Sequence, residues 1–489
     1  MLFSSFEFIF IFLPISFFIY FYLNRKKLGE ASKAFLLVTS LFFYSWWNIV
    51  YLPLILISMI FNYVIGVNLS KNIENRKISK KTLLIFGIIS NVSLLGYFKY
   101  SDFFIDNFNG VFGSEIPLLN LALPLAISFF TFQQIAYLVD SFRNETKEYD
   151  FLNYAVFVSF FPQLIAGPIV HHKEMMPQFE SARTKIINYK NIAAGLFIFS
   201  IGLFKKIVVA DTFSVWATNG FDKSETLSFI EAWVTSYSYT FQLYYDFSGY
   251  TDMAIGAALL FNIKLPINFN SPYKARNIQD FWRRWHITLS RFLRDYIYIP
   301  LGGNKKGKIR TYYNLLATFV IGGFWHGAGW TFIIWGAMQG IAIAIHRIWS
   351  EFNIKIPYFI AWFITINFVN ISWVFFRALT FDDAIKVLKG MFGLNTFLPN
   401  GMTISEFNLT PEVVKSFQFI QNQSEFDLKV SLIIALITLL TTFWIKNSIE
   451  LLKDFKPTKL RLVIFIFSIL ISLIFMNSVK EMEFLYFDF

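Results

Sequence analysis

The sharpest chemical candidate in the sequence is His326, one of five histidines in 489 residues. It stands in Gly322-Gly323-Phe324-Trp325-His326-Gly327-Ala328, between two long apolar runs. A neutral imidazole can take a proton from a hydroxyl. The other use of such a residue is as a polar link between helices. The run Thr311–Phe324 directly follows a basic segment, and its 14 residues climb about 21 Å as a helix, short of a hydrocarbon core of roughly 30 Å. His326 is therefore expected inside a bilayer, where an ionisable group is expensive and function is its first explanation. The glycines around it suit a broken helix and a close backbone approach.

A second candidate is Asn277–Tyr296. Asn277 with Asp280 three residues on resembles a capping box. Trp282, Trp285, Leu289, Phe292 and Tyr296 recur at helical spacing, while Arg283, Arg284, Ser290, Arg291 and Arg294 fall largely off that stripe. This reads as one amphipathic helix at a membrane interface. Its arginines suit either anionic head groups or the phosphates of a bound donor. His286, on the same segment, is either a second catalytic group or a structural imidazole.

Asp246 and Asp252 flank Gly249. Six residues apart on a regular helix they diverge by about 240° and cannot act as a dyad, so contacts between helices are their first expected use and a substrate role the second. A break at Gly249 would change that. Gly302-Gly303-Asn304-Lys305-Lys306-Gly307-Lys308 imitates a phosphate loop, but Ile309 stands where Ser or Thr is required. The adjacent pair His171-His172 lacks metal-ligand spacing and reads as loop, so no metal site is expected.

The elements that must position these residues are set by composition. Hydrophobic residues make up 55% of the chain and charged residues 15%, against roughly 25% charged in soluble domains. Disorder, coiled coil, collagen and a disulfide scaffold are excluded, and with no cysteine so are thiolate metal sites and a cysteine nucleophile. Apolar runs begin near Phe6, Ala34, Tyr51, Thr82, Leu118, Phe151, Ile192, Phe229, Thr311, Ala328, Tyr358, Val430 and Leu462, predicting roughly ten to thirteen membrane helices, some re-entrant. The expected fold is an all-α polytopic integral membrane protein, a single domain over residues 1–489.

Net charge is +11, and lysine and arginine collect on the cytoplasmic side of membranes. Residues 264–310 hold eleven Lys/Arg against Asp280 and Asp295, a surplus of nine. This segment, with 24–33, 70–81 and 446–461, is expected in the cytoplasm. Residues 99–117 and 380–429 are expected outside, as is the tail 477–489 beyond the last span. The N-terminus is also expected outside, since Arg25, Lys26 and Lys27 follow the first span. The first span reads as a retained helix rather than a cleaved signal. No internal repeat is visible, which argues against a secondary transporter.

In order along the chain, Phe161-Pro162-Gln163-Leu164-Ile165-Ala166-Gly167-Pro168, Tyr245-Asp246-Phe247-Ser248-Gly249-Tyr250-Thr251-Asp252-Met253-Ala254-Ile255-Gly256, Phe281-Trp282-Arg283-Arg284-Trp285-His286, Arg294-Asp295-Tyr296-Ile297-Tyr298-Ile299-Pro300-Leu301-Gly302-Gly303-Asn304 and Trp325-His326-Gly327-Ala328 resemble the membrane-bound O-acyltransferase (MBOAT) superfamily. The likeness is to its bacterial alginate and peptidoglycan O-acetyltransferase subunits and runs nearly end to end. It implies an MBOAT-like bundle with re-entrant helices around a central tunnel, with His326 the central histidine and His286 a second frequent one. It implies acetyl-coenzyme A as cytoplasmic donor substrate, no permanently bound cofactor, and location in the bacterial inner membrane. It also implies a periplasmic esterase-fold partner that passes acetyl to a polysaccharide or peptidoglycan hydroxyl. No extramembrane segment here is large enough for that last step. Abundant Phe, Ile, Lys and Asn point to an AT-rich genome and favour peptidoglycan over alginate. The alternatives are D-alanyl transfer to teichoic acid, or a flippase with no covalent step.

The resemblance extends to the ending Phe484-Leu485-Tyr486-Phe487-Asp488-Phe489. The thirteen residues after Met476 reach roughly 43 Å when extended, and the membrane midplane lies about 15 Å from either face of the core. The tail can fold back and bring the Tyr486 phenol to His326 as an acyl acceptor, or it can serve only as an interfacial aromatic anchor. If Arg283, Arg284, Arg291 or Arg294 holds donor phosphates, alanine at the contacting position weakens coenzyme A binding in a direct binding assay, more so at low salt. Normal binding by all four variants leaves the segment as a lipid anchor.

Overall fold

The computed structural model describes residues 1–71, 78–146, 150–397, 436, 446–478 and 485. Among these residues there is no β-strand. The helices are α1 (Glu7–Arg25, opening with a π turn), α2 (Gly29–Ser45), α3 (Leu52–Ser70), α4 (Lys80–Lys99), α5 (Ser101–Phe112), α6 (Ile127–Phe142), α7 (Phe151–Ser159), α8 (Phe161–Leu164) and α9 (His172–Glu180). They continue as α10 (Tyr189–Lys223, with π segments), α11 (Phe229–Leu260), α12 (Ile278–Trp282), α13 (Ile287–Leu293), α14 (Lys308–His326), α15 (Trp330–Glu351), α16 (Tyr358–Arg377), α17 (Phe381–Met391), α18 (Ser448–Lys453) and α19 (Lys459–Ser478).

Among the described residues, seven helices are long and apolar enough to cross a membrane: α1, α3, α4, α10, α15, α16 and α19. The expected number was higher, and the difference has a physical cause. Helix α6 is buried along nearly its whole length, and in α11 every residue from Val234 to Leu260 except Tyr237 and Tyr245 is buried. Surrounded by protein, these helices carry Gln, Thr, Ser, Tyr and Asp rather than an unbroken apolar surface. Helix α7 is nine residues long, too short to cross. The run expected from Val430 lies outside the described residues, apart from Leu436. The outer helices show the opposite pattern. Ile57, Ile60 and Val64 on α3, Ile85, Phe86 and Ile89 on α4, and Val463, Ile466, Phe467 and Leu470 on α19 are all exposed. A soluble protein would not leave such faces in water. This is a multi-pass membrane protein.

Two helices form the spine. Helix α11 begins with a capping box, Ser228 and Glu231 exchanging hydrogen bonds, and packs along α10 through glycine pairs. A Cβ on Gly249 would fall 2.7 Å from the Gly202 carbonyl oxygen, and one on Gly256 would fall 2.6 Å from that of Gly195. Gly249 therefore creates no break. Helix α11 is continuous, and the glycine lets two backbones touch. Beside this crossing α10 carries the π segment Lys205–Ala210. The Lys205 ammonium meets Asp252 at 2.7 Å, and that of Lys206 meets Asp246 at 2.6 Å and Asp211 at 2.8 Å. Buried carboxylates of this kind need paired cations. Helix-to-helix contact is thus the use the structure gives both aspartates.

Gly249→Val should lower the thermal unfolding midpoint of the detergent-solubilised protein, by an overpacking cost of about 1–3 kcal/mol. Gly96→Ala, with nothing within 4 Å of the added methyl, should leave the midpoint unchanged or raise it slightly. Equal midpoints for Gly249→Val and wild type would refute the backbone-contact account.

Candidate active site

Helices α14 and α15 form a hairpin in which Gly323 and Gly336 approach each other's backbones. Helix α14 starts at Lys308 in the basic segment and ends on His326 itself, so its 19 residues rise about 28 Å. Gly327 and Gly329 are extended, at φ −157° and −160°. A side chain at Gly327 would collide with the Phe332 ring. The break that the sequence suggested lies immediately after the histidine.

The His326 ring is buried, with 3% of the residue exposed. It sits among Trp325, Trp335 and Phe376, at centroid distances of 4.9, 5.3 and 5.1 Å. The His286 ring lies 6.4 Å away. The structure thus brings together two histidines forty residues apart in sequence. It also corrects the helix on which His286 was placed. The stretch Asn277–Tyr296 is broken into α12, α13 and a π segment at Arg294–Tyr298. His286 lies between α12 and α13 at φ +42°, in the left-handed region. The apolar stripe survives the break, with Trp282, Trp285, Leu289 and Phe292 all buried.

Asn268 fixes the His286 ring. Its Oδ1 accepts from Thr288 N and Oγ1 at 3.2 and 3.0 Å, which identifies that atom as the oxygen. The His286 Nδ1 at 3.2 Å is then the donor, and Nε2 is the basic nitrogen. Thr288 Oγ1 in turn accepts from Ile169 N at 3.0 Å, tying the Gly167-Pro168 turn to the site. A second buried link runs from Trp282 Nε1 to Gln339 Oε1 and from Gln339 Nε2 to Ser372 Oγ, at 3.2 and 2.8 Å.

The four candidate donor-binding arginines do not act as one cluster. Arg283 is exposed, Arg284 pairs with Asp280 at 2.8 Å, and Arg294 pairs with its neighbour Asp295 at 2.7 Å. Arg291 alone of the four lines a cleft of about 380 Å³ with Arg143, Lys173 and His171. It holds Glu174 with two hydrogen bonds of 2.6 and 3.1 Å. His171 and His172, expected in a loop, are both buried, and His172 starts α9. Tyr296 Oη donates to Asp140 Oδ1 at 2.7 Å and lies 3.1 Å from His171 Nδ1. Sequence alone gave no sign of this triad, whose members come from three distant segments. From the cleft, a run of ring contacts leads inward. Phe292 lies 4.9 Å from Tyr296, Phe132 lies 4.1 Å from Phe292, and Trp325 lies 4.9 Å from Phe132. A second cavity of about 260 Å³ opens beside Gly327 and Ala328, walled by Lys99 and Asp102.

Tyr486 lies outside the described residues. Its neighbour Leu485 is half-buried and donates its backbone N–H to Asp246 Oδ2 at 3.2 Å. Phe247, next to that aspartate, lies 4.8 Å from the His286 ring.

The model of the membrane-bound O-acyltransferase family matches residues 8–381. The chain is 56% identical over 425 residues to the peptidoglycan O-acetyltransferase of Helicobacter pylori, covering 81% of this chain and 80% of that one. It is 39% identical over 406 residues to a probable alginate O-acetylase of Pseudomonas aeruginosa, covering 81% and 76%. A teichoic acid D-alanyltransferase of Streptococcus thermophilus is 30% identical over 239 residues, covering 46% and 57%. The chain belongs to the membrane-bound O-acyltransferase family, and it is an acyltransferase.

A buried imidazole is able to serve an enzyme of this class as general base. His326→Ala should cut acyl transfer about 10²–10⁴-fold while the protein inserts at normal abundance, and His326→Gln should match it. Transfer at the wild-type rate in either variant would remove His326 from the chemistry.

Proposed function

We propose that this enzyme takes acetyl from cytoplasmic acetyl-coenzyme A and delivers it across the bacterial inner membrane to an external esterase-fold partner, which O-acetylates peptidoglycan. The observation that carries the reading is the pair His326 and His286, 6.4 Å apart between a charged cleft and a separate cavity. Coenzyme A is too large and too charged to cross a bilayer, whereas an acetyl group is small and neutral. A site reached from two sides meets that constraint. The cleft is lined by Arg143, Lys173 and Arg291, and donor phosphates would take Lys173 from Glu145 and Arg291 from Glu174. The relatives support an O-acetyl product, and the higher identity to the peptidoglycan enzyme, 56% against 39%, favours peptidoglycan over alginate. The D-alanyltransferase likeness covers less than half of this chain, so that alternative is weaker. Membership of an acyltransferase family disfavours a flippase.

In the proposed mechanism the tail 477–489 enters from the outer face. The bond from Leu485 to Asp246 supports this, because Asp246 sits midway along buried helix α11. His326 removes the phenol proton of Tyr486 as its oxygen attacks the thioester carbonyl. The carbon–sulfur bond breaks, and the coenzyme A thiolate leaves and regains a proton. The product is an acetyl ester of Tyr486, from which the partner's serine takes the acetyl. An aryl ester suits the relay, since a phenol of pKa about 10 leaves more readily than an alkyl alcohol. Tyr486→Phe keeps the ring and removes only the nucleophile. It should stop transfer without lowering abundance, and mass spectrometry of the wild-type enzyme without its partner should find acetyl on Tyr486. Wild-type transfer by Tyr486→Phe would mean that acetyl passes directly from coenzyme A to the partner.

A further inference from the structure

The last four carbonyls of an α-helix have no partner within the helix. At the end of α14, three of those four are held by two consecutive residues from elsewhere in the chain. Tyr100 Oη donates to the Phe324 carbonyl at 2.9 Å. The Lys99 ammonium donates to the Trp325 carbonyl at 2.7 Å and to that of His326 at 3.1 Å. Its third donor reaches Ser128 Oγ at 3.2 Å, which uses all three protons of the ammonium. The same nitrogen lies 5.7 Å from the Trp325 ring centroid, and the Tyr100 ring stacks on Phe324 at 4.3 Å. Among the described residues no carboxylate lies within ion-pair distance of Lys99. Its charge is set against the negative end of the helix.

We propose that Lys99, seconded by Tyr100, is the positioning group of His326. The grip falls on the carbonyl of His326 itself, so it fixes the peptide plane that sets the direction of the imidazole. The next three residues, Gly327, Ala328 and Gly329, carry no polar side chain that could take over. Gly327 and Gly329 are bare, and their extended backbone leaves the helix at once. The ammonium also walls the cavity beside Gly327 and Ala328, so a group reaching the histidine from that side passes it. In sequence Lys99 reads as an outer-loop charge, but its contacts place it at the end of the catalytic helix.

The inference rests on the reading of His326 as the base. Its test therefore has one arm that needs turnover and one that does not. Lys99→Met keeps the stem and removes the charge and donors. In the purified enzyme supplied with its esterase-fold partner and radiolabelled acetyl-coenzyme A, it should lower kcat about 100-fold, the cost of a small misplacement of a catalytic group. The donor KM should stay within about twofold, because only an interaction of the reacting state is lost. Lys99→Arg keeps a cation with several donors and should recover most of the lost kcat. In the second arm the protein is labelled with ¹⁵N-histidine, and the His326 ring signals are identified by their loss in His326→Gln. They should move in Lys99→Met and stay in place in Lys99→Arg. Unmoved ring signals in Lys99→Met overturn the proposal whatever the activity. So does a loss of kcat that merely parallels a loss of folded protein and is not rescued by arginine. If the wild type transfers no acetyl at all, the functional reading fails, and the ring signals still decide the role of Lys99.

Discussion

A helix that stops in a buried place leaves backbone carbonyls that water cannot reach, and each must be satisfied by another part of the protein. That constraint organises the centre of this molecule. Helix α14 stops on the residue best suited to act as a base, and the donors its end requires are brought by Lys99 and Tyr100, more than two hundred positions earlier. The first third of the chain is thereby fastened to α14. Helix α6 closes the same region, with Phe132 stacked between Phe292 and Trp325 and Ser128 bonded to Lys99.

The site is buried and mostly aromatic, which suits acyl transfer, because bulk water would compete for the acyl group. Trp325, Trp335 and Phe376 surround one histidine, and Asn268 sets the tautomer of the other. Polar groups within the bundle are paired in a consistent way. Lys205 and Lys206 answer Asp252 and Asp246, while Gln339 bridges Trp282 and Ser372. Each link joins different helices, so these polar groups serve assembly.

Much of this was legible in the sequence, for reasons that also explain what was not. Apolar runs mark helices directly, so α1, α3, α4, α10, α15, α16 and α19 fall close to where hydropathy put them. His326 stood out because glycines isolate it between apolar runs. Interior helices were harder, because a helix wrapped in protein need not be apolar. The amphipathic stripe at Trp282, Trp285, Leu289 and Phe292 was real, but periodicity could not show that the helix breaks at His286, whose positive φ follows from tertiary contacts. The same limit hid Lys99. A lysine at the end of an apolar run looks like a boundary marker until the chain folds and places another helix end against it. Arg291 was named among four equivalent arginines, and only the fold separates it from the others.

The glycine contacts between α10 and α11 have a mechanical consequence. Gly195 with Gly256 and Gly202 with Gly249 place backbone against backbone at two points seven residues apart on each helix. Side chains can change rotamer to absorb sliding between helices, but main chain cannot. Two rigid contacts on one line also oppose rocking about either. Helices α10 and α11 therefore behave as a single strut, with the lysine–aspartate pairs as rivets beside the crossing. A transporter that rocks its halves would need this joint to give way. In this protein the two backbone contacts hold α10 and α11 together as one body.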